Sequence, residues 1–341
     1  MTASLAETHT NPDGDNMALL SISRRTSAAF LALLLAAPFF PAHAQGDKPI
    51  RIIVPNAPGS SVDVLARTVG HQLSREMGHP VIIENLPGAG GITGTAQVVR
   101  AAKDGLTLGM VSNNHVVNPS LYKSIPFDSI KDITPVTIIA GTPMVLVAHP
   151  SVPAKNLKEL IALAKAKPAE LTYGSSGNGT ILHLAAEALR HEAGIDIKHV
   201  PYKGTSQMTT DLLGGHIQLA FMGVTGAAAH IKAGKLRAIG VTTDVQSRIL
   251  PGVLPFAQQG LPNYNLQGWV ALIAPAGLPE QITSKLYAST QAAVAHKDVQ
   301  NALAEQGFEV IGSNPDATLK TFQSEMAKYG VLVKQSGMTL N

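Results

Sequence analysis

Short apolar runs alternate with amphipathic stretches along the chain, a pattern that predicts an α/β protein. The runs read as strands are Ile50–Pro55, Val81–Glu84, Thr107–Val111, Met144–Ala148, Leu171–Tyr173, Ile197–Val200, Gln218–Met222, Leu236–Val241 and Trp269–Ala274. Between them, Val62–Met77, Leu157–Lys165, Ile181–Glu192 and Gln207–Leu213 carry apolar residues at helical spacing. Helices at Pro279–Ala295, Lys297–Gln306 and Pro315–Ser336 complete the last third.

Two stretches echo each other. VLVAHPSVPAKNLKEL (145–160) and ALIAPAGLPEQITSKL (271–286) each give an apolar run, two prolines and a helix. A chain that crosses twice between two lobes needs two strands side by side, which places crossings near 143 and 266. The expected lobes are 45–142 plus 266–341, and 143–265.

Composition sharpens this. The chain has 341 residues, 45% of them hydrophobic, enough for two real cores. It has no cysteine, which excludes disulfides, Cys-ligated metals, a thiol nucleophile and a lipidated N-terminal Cys. Residues 1–44 read as a signal peptide. Arg24 and Arg25 precede the apolar Ala28–Phe40, and Ala42-His43-Ala44 is a small-x-small cleavage site. That apolar stretch is well short of the ~20 residues that span a bilayer. Ser23–Ser27 fits a twin-arginine signal poorly, so ordinary secretion is expected, with Met17 an alternative start. Removing the signal leaves 24 basic and 20 acidic residues, unclustered and without the basic face that nucleic acid requires. An exported, soluble, monomeric protein of the periplasm is expected.

Three strand-to-helix junctions are rich in Gly, Ser and Asn: Pro55–Ser61, the Gly-rich stretch 85–99, and Tyr173–Thr180. Each puts free backbone N–H groups at a helix N-terminus, where the helix dipole favours an anion. The first and third fall in opposite lobes at strand ends, which predicts one shared cleft. The stretch NLPGAGGITGTAQVV (85–99) resembles a dinucleotide turn, but its sixth fingerprint position is Thr93 and no acid follows the next strand to take a ribose. It is expected to be architectural, and no cofactor is expected. Ser60 and Asp63 read as a helix cap rather than as catalytic groups. No G-x-S-x-G register fits Gly174–Gly177, and no H-E-x-x-H zinc helix exists. His115 is kept as a candidate ligand contact. Aromatic residues are only 4% of the chain, which argues against stacking on sugars. Backbone amides with Asn56, Ser60, Ser61, Ser175, Ser176, Asn178 and Thr180 suit carboxylates.

Blocks along nearly the whole mature length carry a family pattern: IRIIVPNAPGSSVDVLAR, VIIENLPGAGGITGTAQVVRAAKDGLTL, NPSLY, LTYGSSGNGTILHLAAEAL, AGIDIKHVPYKGTSQMTTDLLGGHIQLAF, GKLRAIGVTT and GWVALIAPAGLP. The chain resembles the Bug-type periplasmic solute receptors of tripartite tricarboxylate transporters. That resemblance implies a type 2 periplasmic-binding-protein fold, two α/β lobes joined by two crossing strands and closing on a small carboxylate. It points to Asn56, Ala57, Pro58, Gly59, Ser60 and Ser61, and to Ser175, Ser176, Gly177 and Asn178. The first loop departs from the family's usual paired prolines and glycines, so ligand identity is not carried over. In Pro201-Tyr202-Lys203-Gly204, Lys203 either neutralises a second carboxylate or faces solvent, and Tyr202 walls an apolar ligand body. The expected protein is a non-enzymatic receptor for a di- or tricarboxylate, amino acid or aromatic acid, with integral-membrane transporter subunits as partners. The alternatives are a ligand sensor for a two-component kinase and a secreted α/β hydrolase.

Overall fold

The computed structural model describes residues 48–336, so the expected signal segment 1–44 lies outside the described residues. Two sheets organise the chain. In chain order, the first sheet takes β1 (Ile50–Val54), β2 (Val81–Asn85), β3 (Thr107–Ser112) and β4 (Ile133–Thr142), then late in the chain β10 (Gly268–Pro275) and β11 (Glu309–Val310). The second takes β5 (Met144–Ala148), β6 (Thr172–Ser175), β7 (Lys198–Pro201), β8 (Leu219–Gly223) and β9 (Arg237–Val241). The strand orders are β11-β4-β10-β3-β1-β2 and β7-β6-β8-β5-β9. In the first sheet β1 runs parallel to β2 and β3, whereas β10 is antiparallel to both β3 and β4. In the second, β6 runs parallel to β7 and β8, and β5 is antiparallel to β8 and β9. Each sheet with its helices is one α/β lobe.

Helix α1 (Ser61–Met77) shows why these segments fold as predicted. Val62, Leu65, Ala66, Val69 and Leu73 are buried at helical spacing. Ser60 caps its start by accepting from the Asp63 amide at 3.3 Å, and Gly78 ends it at φ 71°, a left-handed geometry open to glycine. With α8 (Glu280–Ala295) and α9 (Lys297–Glu305), α1 covers one face of the first sheet over Ile50, Ile52, Val54, Leu108 and Leu272. The remaining helices are α2 (Ile92–Val99), α3 (Asn114–Leu121), α4 (Leu157–Ala166), α5 (Ile181–Ala193), α6 (Thr205–Leu213), α7 (Val224–Lys232) and α10 (Pro315–Ser336). Helix α10 packs on α3 and β4 of the first lobe and on α5 of the second. Its Phe322, Tyr329, Leu332 and Val333 join a core that runs through both lobes.

Only Pro143 separates β4 from β5, so the chain leaves one sheet and enters the other almost at once. The return path runs beside it: the Thr242 amide donates to Met144 O and the Leu266 amide to Thr242 O, both at 3.0 Å, and Gly268 pairs with Thr142. The echoing stretches lie in different sheets. The strand beside β10 at the crossing is β4, a segment not foreseen from the pattern. Pro135 interrupts it as a sequence, yet Pro135 pairs at a register shift of β10 between Leu272 and Ile273, where the ladder is irregular and a missing N–H is tolerated. Among the described residues no helix is long and apolar enough to cross a membrane.

Candidate functional site

A cavity of about 370 Å³ opens where the C-terminal ends of strands from both lobes meet. Asn56, Ser60, Ser61, Val62, Ser112, Asn113 and Asn114 line it from the first lobe, and Ser176, Thr180, Ile181, Leu182, Thr205 and Gly223 from the second. Thr142, Met144, Gly268, Trp269 and Val270 of the crossing segments form its floor, with Gln306 and Phe308 at one side. Among the described residues no ionisable side chain lines this cavity, but the first residues of α1, α3, α5 and α6 and the residue capping α7 all do. The first amides of a helix have no intrahelical acceptor, and the dipole places partial positive charge there. The wall is therefore built to receive negative charge without carrying a cation.

The first-lobe loop is braced by a buried carboxylate. Asp63 Oδ2 accepts from the Gly59 amide at 2.8 Å and from Arg67 Nε at 3.2 Å, and Oδ1 accepts from Asn85 Nδ2 at 2.9 Å. Asn85 Nδ2 also reaches the Asn56 carbonyl at 3.2 Å. Burial works to raise the Asp63 pKa, but the hydrogen bonds from Arg67, Gly59 and Asn85 outweigh it and hold the carboxyl below its usual value. The Gly-rich stretch 88–94 is the bracket beneath this loop. A Cβ on Gly94 would lie 2.7 Å from Leu86 O and 2.9 Å from Pro55 Cβ, so only glycine lets the two backbones approach. Asn118 Nδ2 donates to Gly90 O at 3.0 Å, tying the bracket to α3.

The second-lobe loop is braced by neutral rings. Ser175 Oγ lies 2.7 Å from His199 Nε2, and the Gly179 amide donates to His183 Nδ1 at 3.1 Å. The two imidazoles stack at 3.9 Å, and Tyr173 stacks on His199 at 4.9 Å. Thr180 Oγ1 turns back to donate to Gly177 O at 2.8 Å, so it does not cap α5, whose first residues Ile181 and Leu182 line the cavity. Burial, then His199 and Arg190, push His183 down to about 3, and burial likewise lowers His199. Behind them Glu187 accepts from Tyr173 OH at 2.5 Å and from Arg190 Nη1, which reaches both carboxylate oxygens at 2.9 and 3.0 Å.

Of the residues singled out from sequence, Asn56, Ser60, Ser61, Ser176 and Thr180 line the cavity. Ala57, Pro58 and Gly59 are exposed on the outer side of their turn, as is Asn178 on its own. Gly177 stands behind the second wall, its amide on Ser175 Oγ at 3.2 Å. Ser175 is fully buried, its hydroxyl turned from the cleft toward His199 and Gly177, so this Ser–His pair has no access to a bound molecule. His115 is buried outside the cleft, its Nε2 donating to Ser129 O at 2.7 Å, and burial lowers its pKa to about 4. Its ring borders a separate cavity of about 10 Å³ with Asn56 and Asn118. Tyr202 donates to Asp211 Oδ2 at 2.8 Å, and Lys203 is exposed; neither lines the cleft.

The floor was not foreseen. Asn113 is its main organiser: Oδ1 accepts from the Trp269 amide at 2.9 Å, and Nδ2 lies within 3.3 Å of Gln267 O, Glu325 Oε2 and Tyr329 OH. Trp269 Nε1 donates to the same Glu325 oxygen at 2.5 Å, and its ring stacks on Phe322 at 5.0 Å. The available signal was Ser112-Asn113-Asn114 at a strand end before a helix. Trp269, the sole tryptophan, sits on a strand whose neighbour was not recognised.

The comparisons agree with this geometry. A family model described as tripartite tricarboxylate transporter family receptor matches residues 65–338. The protein BugT of Bordetella pertussis is 33% identical over 316 residues, covering 92% of this chain and 95% of BugT. The structure of the periplasmic binding protein BugD is 29% identical with a TM-score of 0.71, covering 86% of this chain and 99% of that one. That of Rpa4515 from R. palustris with adipate is also 29% identical, with a TM-score of 0.73 and the same coverage.

Proposed function

Because the chain belongs to the tripartite tricarboxylate transporter receptor family, we propose that it captures a small organic carboxylate between its lobes and presents it to the integral-membrane subunits of such a transporter. The observation that carries this reading is the convergence of five helix N-termini on one cavity with no ionisable side chain. Each N-terminus contributes roughly 0.3–1 kcal/mol toward an anion, and hydrogen bonds to a charged group add about 1.5–3 kcal/mol each. Asn56, Ser60, Ser61, Ser176 and Thr205 supply polar side chains beside the first helical residues Ser61, Val62, Ile181 and Leu182. Val62, Met144, Leu182, Trp269 and Phe308 give the ligand's carbon body an apolar wall. Adipate in the Rpa4515 structure is a carboxylate of this kind.

The lobes divide at 143 and 266 in this reading, and closure about the paired crossing segments traps the ligand. Closure follows ligand only if the closed form binds it better than the open one. The protein is a monomeric receptor and not a catalyst: Ser175 and His199 are spent on bracing their own loop. Residues 1–44 direct export to the periplasm. Thermal-shift measurement against mono-, di- and tricarboxylates, amino acids, aromatic acids, sugars and cations tests the reading. A carboxylate at ~100 times its Kd adds about 2.7 kcal/mol. Ser176→Leu abolishes that shift while the apo melt stays nearly unchanged. A response confined to sugars or cations would overturn the assignment.

A further inference from the structure

We propose that His183 and His199 are positioning residues that hold the ligand-facing loop 175–180 in its binding shape only as uncharged rings. The inference rests on the reading of Ser176–Leu182 as a ligand wall. Neither histidine lines the cavity, and each bonds a group in the loop that does.

The hydrogen bonds set the protonation state. The Gly179 amide can only donate, so His183 Nδ1 must keep its lone pair, and the ring is the neutral Nε2–H tautomer. A proton on Nδ1 would face that N–H and break the contact. Gly177 and Gly179 both have positive φ, 137° and 71°, so this turn is held in a conformation that few residues adopt. Around the turn, the Gly179–His183 and Ser175–His199 bonds are joined by Thr180 Oγ1 on Gly177 O and the Tyr202 amide on Ser175 O. His199 lies face to face with His183 at 3.9 Å, so charging one ring opposes charging the other, and charging both sets two cations in contact.

The other groups near the pair do not rescue the charged state. On α5 itself, Glu187 Oε1 stands 3.8 Å from His183 Nε2, but that carboxylate is already taken by Arg190 and by Tyr173 of β6. Glu187 favours a charge on His199 and Arg190 opposes one on either ring, and burial, the largest influence, still holds His199 below its usual value. On α6, Asp211 is occupied by Tyr202. Strand β8, which also packs on α5, carries no titratable side chain. On α10, Glu325 is bonded to Trp269 and Asn113, and Lys328, bonded to Asn265 O, interacts with Glu192 near the far end of α5. Burial lowers both imidazoles in agreement with the hydrogen bonding.

A loop released from its histidines lets them titrate near the ordinary value, so each unit of acidification below it shifts the balance toward release. Amide exchange of the full chain, followed residue by residue, reads this without any ligand. At about pH 7.5, His183→Leu should lower the protection of Gly179 by about tenfold, the loss of one hydrogen bond. His183→Asn, whose amide oxygen stands near the Nδ1 position and does not titrate, should restore it. The native chain should lose loop protection on acidification to about pH 5, and the double variant His183→Asn with His199→Gln should keep it. Protection unchanged in His183→Leu, or acid loss as large in the double variant as in the native chain, overturns the proposal. Adipate titration of the same samples separates the two readings. A chain that binds no carboxylate but shows this pattern upholds the role of the histidines and refutes the receptor assignment.

Discussion

In the loop after β1 a full negative charge does the holding, with the Asp63 carboxylate gathering Gly59, Asn85 and Arg67 around it. In the loop after β6 the same task falls to two imidazoles and a pair of hydroxyls, all uncharged. Both arrangements deliver unpaired amides of a helix N-terminus to one cleft. They differ in what can undo them. A carboxylate with three kinds of donor stays ionised over the whole physiological range, whereas a neutral histidine is poised against the proton. The two walls of one site thus give way to acid in different ranges, the second in a milder one.

Three perturbations sharpen this contrast, and the largest strikes the first wall. Gly94→Val drives a side chain into the Leu86 carbonyl and Pro55. Overpacking of this kind costs about 3 kcal/mol, read as a lower urea midpoint at unchanged slope, and it should remove ligand binding with it. Asp63→Ala is next. It strips the acceptor from Gly59 and Asn85 and leaves Arg67, already half exposed, to solvent, for a loss of about 2 kcal/mol that does not depend on pH above 5 or so. Third comes mild acid on the native chain. His183 has a depressed folded-state pKa, so the unfolded chain takes up the proton first and stability falls as pH drops below the free-imidazole value of 6.5. One unit below that value the cost from His183 is about 1.4 kcal/mol. Asp63 also has a depressed folded-state pKa and loses stability in the same direction, but in a lower range: its contribution is present above the ordinary carboxylate value of 3.8 and is lost only below it. Exchange measured against pH should therefore loosen 175–180 while 55–63 stays protected. Simultaneous loosening of both walls would remove the distinction.

The elements that build the lobes were legible because burial repeats along them, at every third or fourth residue in α1 and as unbroken apolar runs in β5 and β10. β4 was not, since Pro135 looks like a stop until the irregular pairing of β4 with β10, which skips Val136, is known. At the site, local chemistry carried only part of the way. Ser60 and Ser61 sit at the start of a helix that follows a strand and Ser176 directly follows the end of one, and those positions bring them to the cleft. Ser175 is chemically the same as Ser176 and adjacent to it, but alternation along the strand end turns it inward to His199, 24 residues on. His115 reads as a ligand contact because it falls in the stretch Asn113–His115 just after a strand, yet its ring packs between Phe127 and Phe322 from distant parts of the chain. The floor residues Thr142, Met144, Gly268 and Trp269 come together only through pairing of the crossing segments, which no short window contains.

A cleft without Lys or Arg has a kinetic consequence. The field of helix ends is that of dipoles and fades within a few ångströms, so it grips an anion on arrival but does not draw one in from the bulk. Long-range steering comes from whole charges and weakens with ionic strength. For an incoming carboxylate, the association rate should be set by diffusion and lobe motion and vary little with salt, and differences in affinity between ligands should appear as differences in how long each one stays.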